Sequence, residues 1–179
     1  IIALLIRVLG HDAPHTPTLN QPGTREFAGY GEIYVQPVFL RMAPLYFSML
    51  GTMLAVQTLW AGPFAFDVAL ASRSDVGTLL LILGIGAVIG YAASGWLADR
   101  YGVIRIIILS QIIMLITLAY FVFIPLPATF AVLVVVYGLF GFGASFNVVM
   151  LPQARALFHD MMSGRAATAI NIFGFLGGW

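Results

Sequence analysis

Gly95-Trp-Leu-Ala-Asp-Arg-Tyr-Gly-Val-Ile-Arg105 places three charged side chains between two long apolar runs, in a chain of 179 residues of which only 8% are charged. Gly95 stands one helical turn before Asp99, Asp99 and Arg100 end an apolar stretch, and Gly102 can take the backbone that a short reversal needs. A carboxylate at a bilayer surface is placed to accept hydrogen bonds from the N-terminus of another helix, where unpaired amides carry partial positive charge. Arg100 and Arg105 can reach helix-terminal carbonyls or anionic headgroups. The plainer reading of an Asp-Arg pair is a topology anchor at the end of a membrane span.

Composition decides the solvent. The chain is 61% hydrophobic with a mean hydropathy of +1.00, whereas a soluble domain carries about a quarter charged residues. A globular fold of this size has no way to bury that much apolar surface, so the medium is lipid. A net charge of +1 without a basic tract argues against nucleic acid as a partner, and there is no lysine: the eight basic residues are arginines. The absence of cysteine excludes a disulfide framework, a cysteine nucleophile and a thiolate metal site.

Five apolar segments are expected to be helical, at residues 45–66, 76–98, 106–124, 130–150 and 166–179. The full spans approach the roughly 20 residues that cross a hydrocarbon core, and their even apolarity lacks the alternation of barrel strands. The fold class is therefore an all-α membrane protein, a polytopic transmembrane helix bundle. Charge interrupts the segments at residues 67–75, Pro125-Leu126-Pro127 predicts a tight hairpin, and residues 151–165 combine Pro152 with polar residues and a Ser163-Gly164 helix start. Residues 10–44, rich in Pro, Gly, Thr and His, read as a flexible linker with a short interfacial helix near 29–39. Residues 1–9 lack the flanks of a signal peptide and read as the end of a preceding membrane helix. Ile1 and Trp179 both stand within apolar runs, so the chain is expected to be a fragment.

Arginine sets the expected orientation. With the linker inside, Arg7, Arg25, Arg41, Arg100, Arg105, Arg155 and Arg165 fall on cytoplasmic segments and Arg73 alone falls outside. Small residues at four-residue spacing, Gly86-Gly90-Ser94, Gly141-Ser145 and Gly174-Gly178, predict close helix packing.

The spacing G-x-x-x-D-R-x-G over Gly95, Asp99, Arg100 and Gly102, between the second and third full spans, resembles the signature loop of the major facilitator superfamily. It departs from the family's usual pattern where Val103-Ile104 stands before Arg105. Residues 57–68, QTLWAGPFAFDV, look like the seventh helix of a bacterial subgroup, and residues 164–174, GRAATAINIFG, look like the entry to its eleventh helix. This resemblance implies a bundle built from inverted repeats, in which residues 1–9 end the sixth helix, 10–44 form the central cytoplasmic linker and 45–179 form most of the C-terminal half. Placement in the N-terminal half is the alternative. Also implied are a bacterial cytoplasmic (inner) membrane, a small-molecule substrate, an N-terminal half of the same polypeptide as partner, and alternating access, with the Asp99 loop stabilising one of two states.

In the family the site lies near the midplane between the halves, which directs attention to polar or aromatic residues at mid-depth. Met53, Gln57 and Trp60 share one face by i, i+4, i+7 spacing. Gln57 supplies a donor and an acceptor, Trp60 a stacking face. Tyr137 and Asn171 are further substrate candidates, and Asn147 is the weakest. Gly62-Pro63 is expected to break or loosen its helix, since Pro63 removes a backbone bond. Proton coupling often uses a buried carboxylate or histidine, yet Asp67, Asp75, Asp99 and Asp160 fall at span ends and His159 in a loop. A membrane enzyme would need a catalytic set at membrane depth, and none is legible; His11 and His15 lack the helix and the intervening glutamate of a metal motif. No catalytic residue, metal site or cofactor is therefore expected. A non-transporting scaffold or sensor remains the other alternative.

Overall fold

The computed structural model describes residues 30–123, 129–157 and 160–179. Residues 1–29, with His11 and His15, the proline hairpin at 125–127, and His159 lie outside them. Six helices follow one another: α1 (Tyr30–Tyr34), α2 (Pro37–Val68), α3 (Arg73–Tyr101), α4 (Val103–Phe123), α5 (Phe130–Ala156) and α6 (Asp160–Leu176), with no strand among the described residues. α2, α3, α4 and α5 are each long and apolar enough to cross a membrane. The protein is an all-α bundle.

Helix α2 begins at Pro37 rather than at residue 45. Gln36 is extended, and Pro37 occupies the first turn, where a missing N–H leaves nothing unpaired. Arg41 and Pro44 look like breakers in the sequence, but packing outweighs them. Phe39 and Ala43 are buried, and the Phe39 ring meets Phe173 of α6 edge-on with centroids 5.7 Å apart. Helix α5 likewise continues past residue 150 to Ala156. Pro152 falls just after a 3-10 stretch, Ser145–Val149, in the first turn of the α-helix that resumes at Met150, so its missing N–H is tolerated. α6 starts at Asp160, one turn before the Ser163-Gly164 start expected from the sequence.

α5 is the central element. It packs along α3, against α4 on another side and, through its C-terminal turns, against α6, which in turn packs on α2. Contact is close because the backbones nearly touch: a Cβ on Gly86 would run into the Gly138 carbonyl, and one on Gly141 into the Leu83 carbonyl. The α2–α6 crossing uses Gly51 against Gly177, a pair that four-residue spacing within one helix does not reveal. Ser110 ties α4 to α5 by donating to the Gly143 carbonyl at 2.9 Å. Large aliphatic side chains, including Ile108, Leu115 and Ile116 of α4, stay exposed on the outside, as a lipid-facing surface requires.

Two short connections set the register. Between α2 and α3, Leu70 has φ 54°, and Ser72 caps α3 by accepting from the Asp75 amide at 3.2 Å while donating to its carboxylate at 2.7 Å. Between α3 and α4 stands Gly102 alone, with φ 90°; its amide closes α3 by donating to the Ala98 carbonyl at 2.8 Å.

Candidate functional site

Polar side chains inside this bundle gather where α2, α3, α5 and α6 approach one another. Tyr46 of α2 is buried, and its hydroxyl donates toward Oδ1 of Asn171 on α6 at 3.5 Å. Two turns along α2, about 10 Å at 1.5 Å per residue, the Met53 sulfur accepts from Asn147 Nδ2 at 3.0 Å and from the Tyr91 hydroxyl at 3.5 Å.

Asn147 is the pivot of this cluster. The 3-10 stretch turns its side chain inward, where it is buried, and its Nδ2 donates both to Met53 and to the Ala144 carbonyl, at 2.7 Å. Its amide oxygen accepts no hydrogen bond, yet no fully buried side-chain nitrogen or oxygen among the described residues lacks a partner. The oxygen keeps a small accessible surface in a residue only 4% exposed, and it is an unused acceptor. Tyr91, partly exposed, offers a hydroxyl beside it.

The residues singled out from the sequence are divided between separate places. Asn171 pairs with Tyr46, two turns along α2 from Met53. Trp60 and Tyr137 instead share an apolar cavity of about 420 Å³ walled by α2, α4 and α5, with Val56, Phe64 and Phe121. Tyr137 is fully buried there: its hydroxyl donates to the Ala61 carbonyl at 2.6 Å and its ring meets Phe121 edge-on. Gln57 is exposed and lies outside that lining. Residues Val56–Trp60 make a π turn, so the regular i, i+4, i+7 spacing of Met53, Gln57 and Trp60 does not hold here: Met53 is buried, Gln57 is exposed, and Trp60 borders the cavity.

The helix passes through Gly62-Pro63 rather than ending there. A second π turn, Phe64–Val68, follows the short α stretch Ala61–Pro63, so α2 accommodates its proline by widening on both sides of it.

In the signature loop Asp99, Arg100, Gly102 and Arg105 are all exposed. Among the described residues Asp99 has no hydrogen-bond or ion-pair partner, and the helix N-terminus expected to meet it is not found there. The Arg100 guanidinium lies 5.9 Å from the ring centroids of Trp96 and of Tyr101, at the outer limit of a cation–π contact. A Cβ on Gly95 would meet nothing within 4 Å.

Tyr46, Tyr91 and the Met53 acceptor escaped sequence reasoning. Tyrosines and methionines in apolar runs read as packing residues, and only the tertiary fold pairs them. No group of histidine, aspartate or glutamate side chains suited to a metal ion occurs among the described residues.

Comparison with known proteins places these features in a family. The model described as Major Facilitator Superfamily matches residues 1–179. No curated protein matches the chain, and no solved structure does.

Proposed function

The chain belongs to the major facilitator superfamily, and from that premise we propose that this integral membrane transporter moves a small molecule by alternating access, using the cluster around Asn147 as its half of the substrate site. The observation that carries the assignment is the set of hydrogen bonds joining Asn147, Met53 and Tyr91 across three apolar helices, with an amide oxygen at its centre that is an unused acceptor. Polar groups at membrane depth are costly and are retained chiefly at substrate and ion pathways. Asn171, paired with Tyr46, adds an amide on α6, and exposed Gln57 adds one further along α2. Trp60 and Tyr137 act differently in this reading, as the packing that supports the widened part of α2 beside Gly62-Pro63.

An N-terminal half of the same polypeptide completes the site, residues 10–36 connect the halves on the cytoplasmic side of an inner membrane, and residues 37–179 belong to the C-terminal half. The open space at Gly95 and an Asp99 without a partner among the described residues support docking of that other half on the signature loop in one of the two states.

These 179 residues contain no cysteine, so an Asn171→Cys probe in the full-length protein, with any cysteine outside them replaced by serine, can be labelled without background. Reconstituted in liposomes, it should react with an impermeant maleimide from both sides, in proportions that a transported substrate shifts. Labelling from one side only, whatever solute from a broad panel is added, would overturn alternating access at this site.

A further inference from the structure

A second crevice opens where α2 and α4 begin and α5 ends. It encloses about 490 Å³, within the range of about 300–1,000 Å³ typical of ligand pockets. Its walls are mainly aliphatic, with Leu45, Ile104 and Ile108 among them, and three polar side chains interrupt them: Arg41, Gln111 and Gln153. No acidic side chain lines it among the described residues. None of the three polar side chains has a hydrogen-bond or ion-pair partner among the described residues. Arg41 is exposed, and both glutamines are half-buried, so the charge stands at the mouth with the amides further in.

We propose that this crevice binds one anionic phospholipid, with the headgroup phosphate on Arg41, the glycerol-ester region within reach of Gln111 and Gln153, and an acyl chain against Ile104 and Ile108. Charge complementarity selects the headgroup, since a guanidinium with no carboxylate beside it among the described residues favours phosphate. The aliphatic walls select a lipid over a soluble anion. Ile104 and Ile108 are also largely exposed, so the crevice lies open sideways to the bilayer, from which a lipid enters without crossing water. Arg105 and Arg155 sit on the helix ends that border the crevice, adding positive potential at the same membrane face. The glutamine amides gain partners in an apolar medium. This assignment rests on the membrane location alone and stands whether or not the Asn147 cluster binds substrate.

Native mass spectrometry of the full-length protein, delipidated and then mixed with equal amounts of phosphatidylglycerol and phosphatidylcholine, tests it. The wild type should retain one phosphatidylglycerol in preference to phosphatidylcholine. Arg41→Gln should lower that retention about fivefold, the effect of one basic residue at an anionic surface. Arg41→Lys should keep most of the preference. Ile108→Trp, which fills the apolar part without altering charge, should also reduce retention. Equal retention by wild type and Arg41→Gln, or no preference between the two lipids, would overturn the proposal. So would a cross-link from a cysteine at Ile108 to another segment of the chain or to a second copy, since protein would then occupy the crevice.

Discussion

Tyr137 and Ala61 are joined by a 2.6 Å hydrogen bond from the phenol to the backbone carbonyl, at the point where α2 passes from one π turn toward the next. The bond fixes α5 to the part of α2 whose own ladder is least regular. Tyr137→Phe keeps the ring and its edge contact with Phe121 and removes only the hydroxyl. The variant should fold, with a loss of about 1 kcal/mol, the scale of interhelical hydrogen bonds in membranes. Denaturant unfolding in detergent measures it. An unchanged midpoint would mean that the carbonyl finds another donor.

Gly86 and Gly95 lie on the same helix but predict opposite outcomes. A Cβ on Gly86 strikes the Gly138 carbonyl, so Gly86→Ala must push α3 away from α5; a cost of about 1–3 kcal/mol is expected, as for other overpacked sites. Gly95→Ala meets open space and gains up to about 1 kcal/mol of helix propensity. Thermal unfolding of the two variants should diverge accordingly. If Gly95→Ala unfolds normally but transports poorly, Gly95 is packed against another part of the protein in a working state.

Local chemistry was legible in the sequence, and cross-chain geometry was not. The reversal at Gly102 followed from a glycine after charged residues at the end of an apolar run, and the structure places a positive φ there. The bundle followed from an apolar composition together with evenly apolar segments of spanning length. The extension of α2 back to Pro37 was hidden because Arg41 and Pro44 look like breakers, while the buried contact of Phe39 with Phe173 joins residues far apart in the chain. The face assigned to Met53, Gln57 and Trp60 assumed a regular 3.6-residue turn, and the π turn at Val56–Trp60 removes that regularity. Asn147 looked peripheral because its depth was counted along an ideal helix. The 3-10 stretch and the Met53 sulfur give it its partners.

Asp99 is exposed and has no partner among the described residues, so Asp99→Ala should leave stability within about 0.5 kcal/mol of wild type, as surface substitutions generally do. Uptake into proteoliposomes should nevertheless fall, because the loop is proposed to act through a contact made in only one state. Full uptake with normal folding would remove the signature loop from the mechanism.

Leu70 holds a left-handed backbone, φ 54°, in the turn before α3, and its side chain is exposed. For a residue with a Cβ this conformation costs about 1–2 kcal/mol. Leu70→Gly should relieve most of that and raise the unfolding midpoint, with transport unchanged. A lowered midpoint would show that the leucine side chain anchors the turn in the bilayer interface.

Asn147→Leu separates a structural from a binding role. The amide donates to Met53 and Ala144, and replacing a buried polar group by an apolar one of similar size is often neutral for stability, because the Met53 sulfur is a weak acceptor that loses little when left alone. If Asn147 only packs, both stability and transport should survive. If its unused oxygen receives a substrate donor, the variant should fold normally while KM rises about tenfold, the loss of one hydrogen bond of about 1.4 kcal/mol. Met53→Leu supplies the control: it removes the acceptor that positions the amide but leaves the oxygen in place, so its effect on KM should be smaller. Equal KM values for wild type, Asn147→Leu and Met53→Leu would move the substrate site away from this cluster.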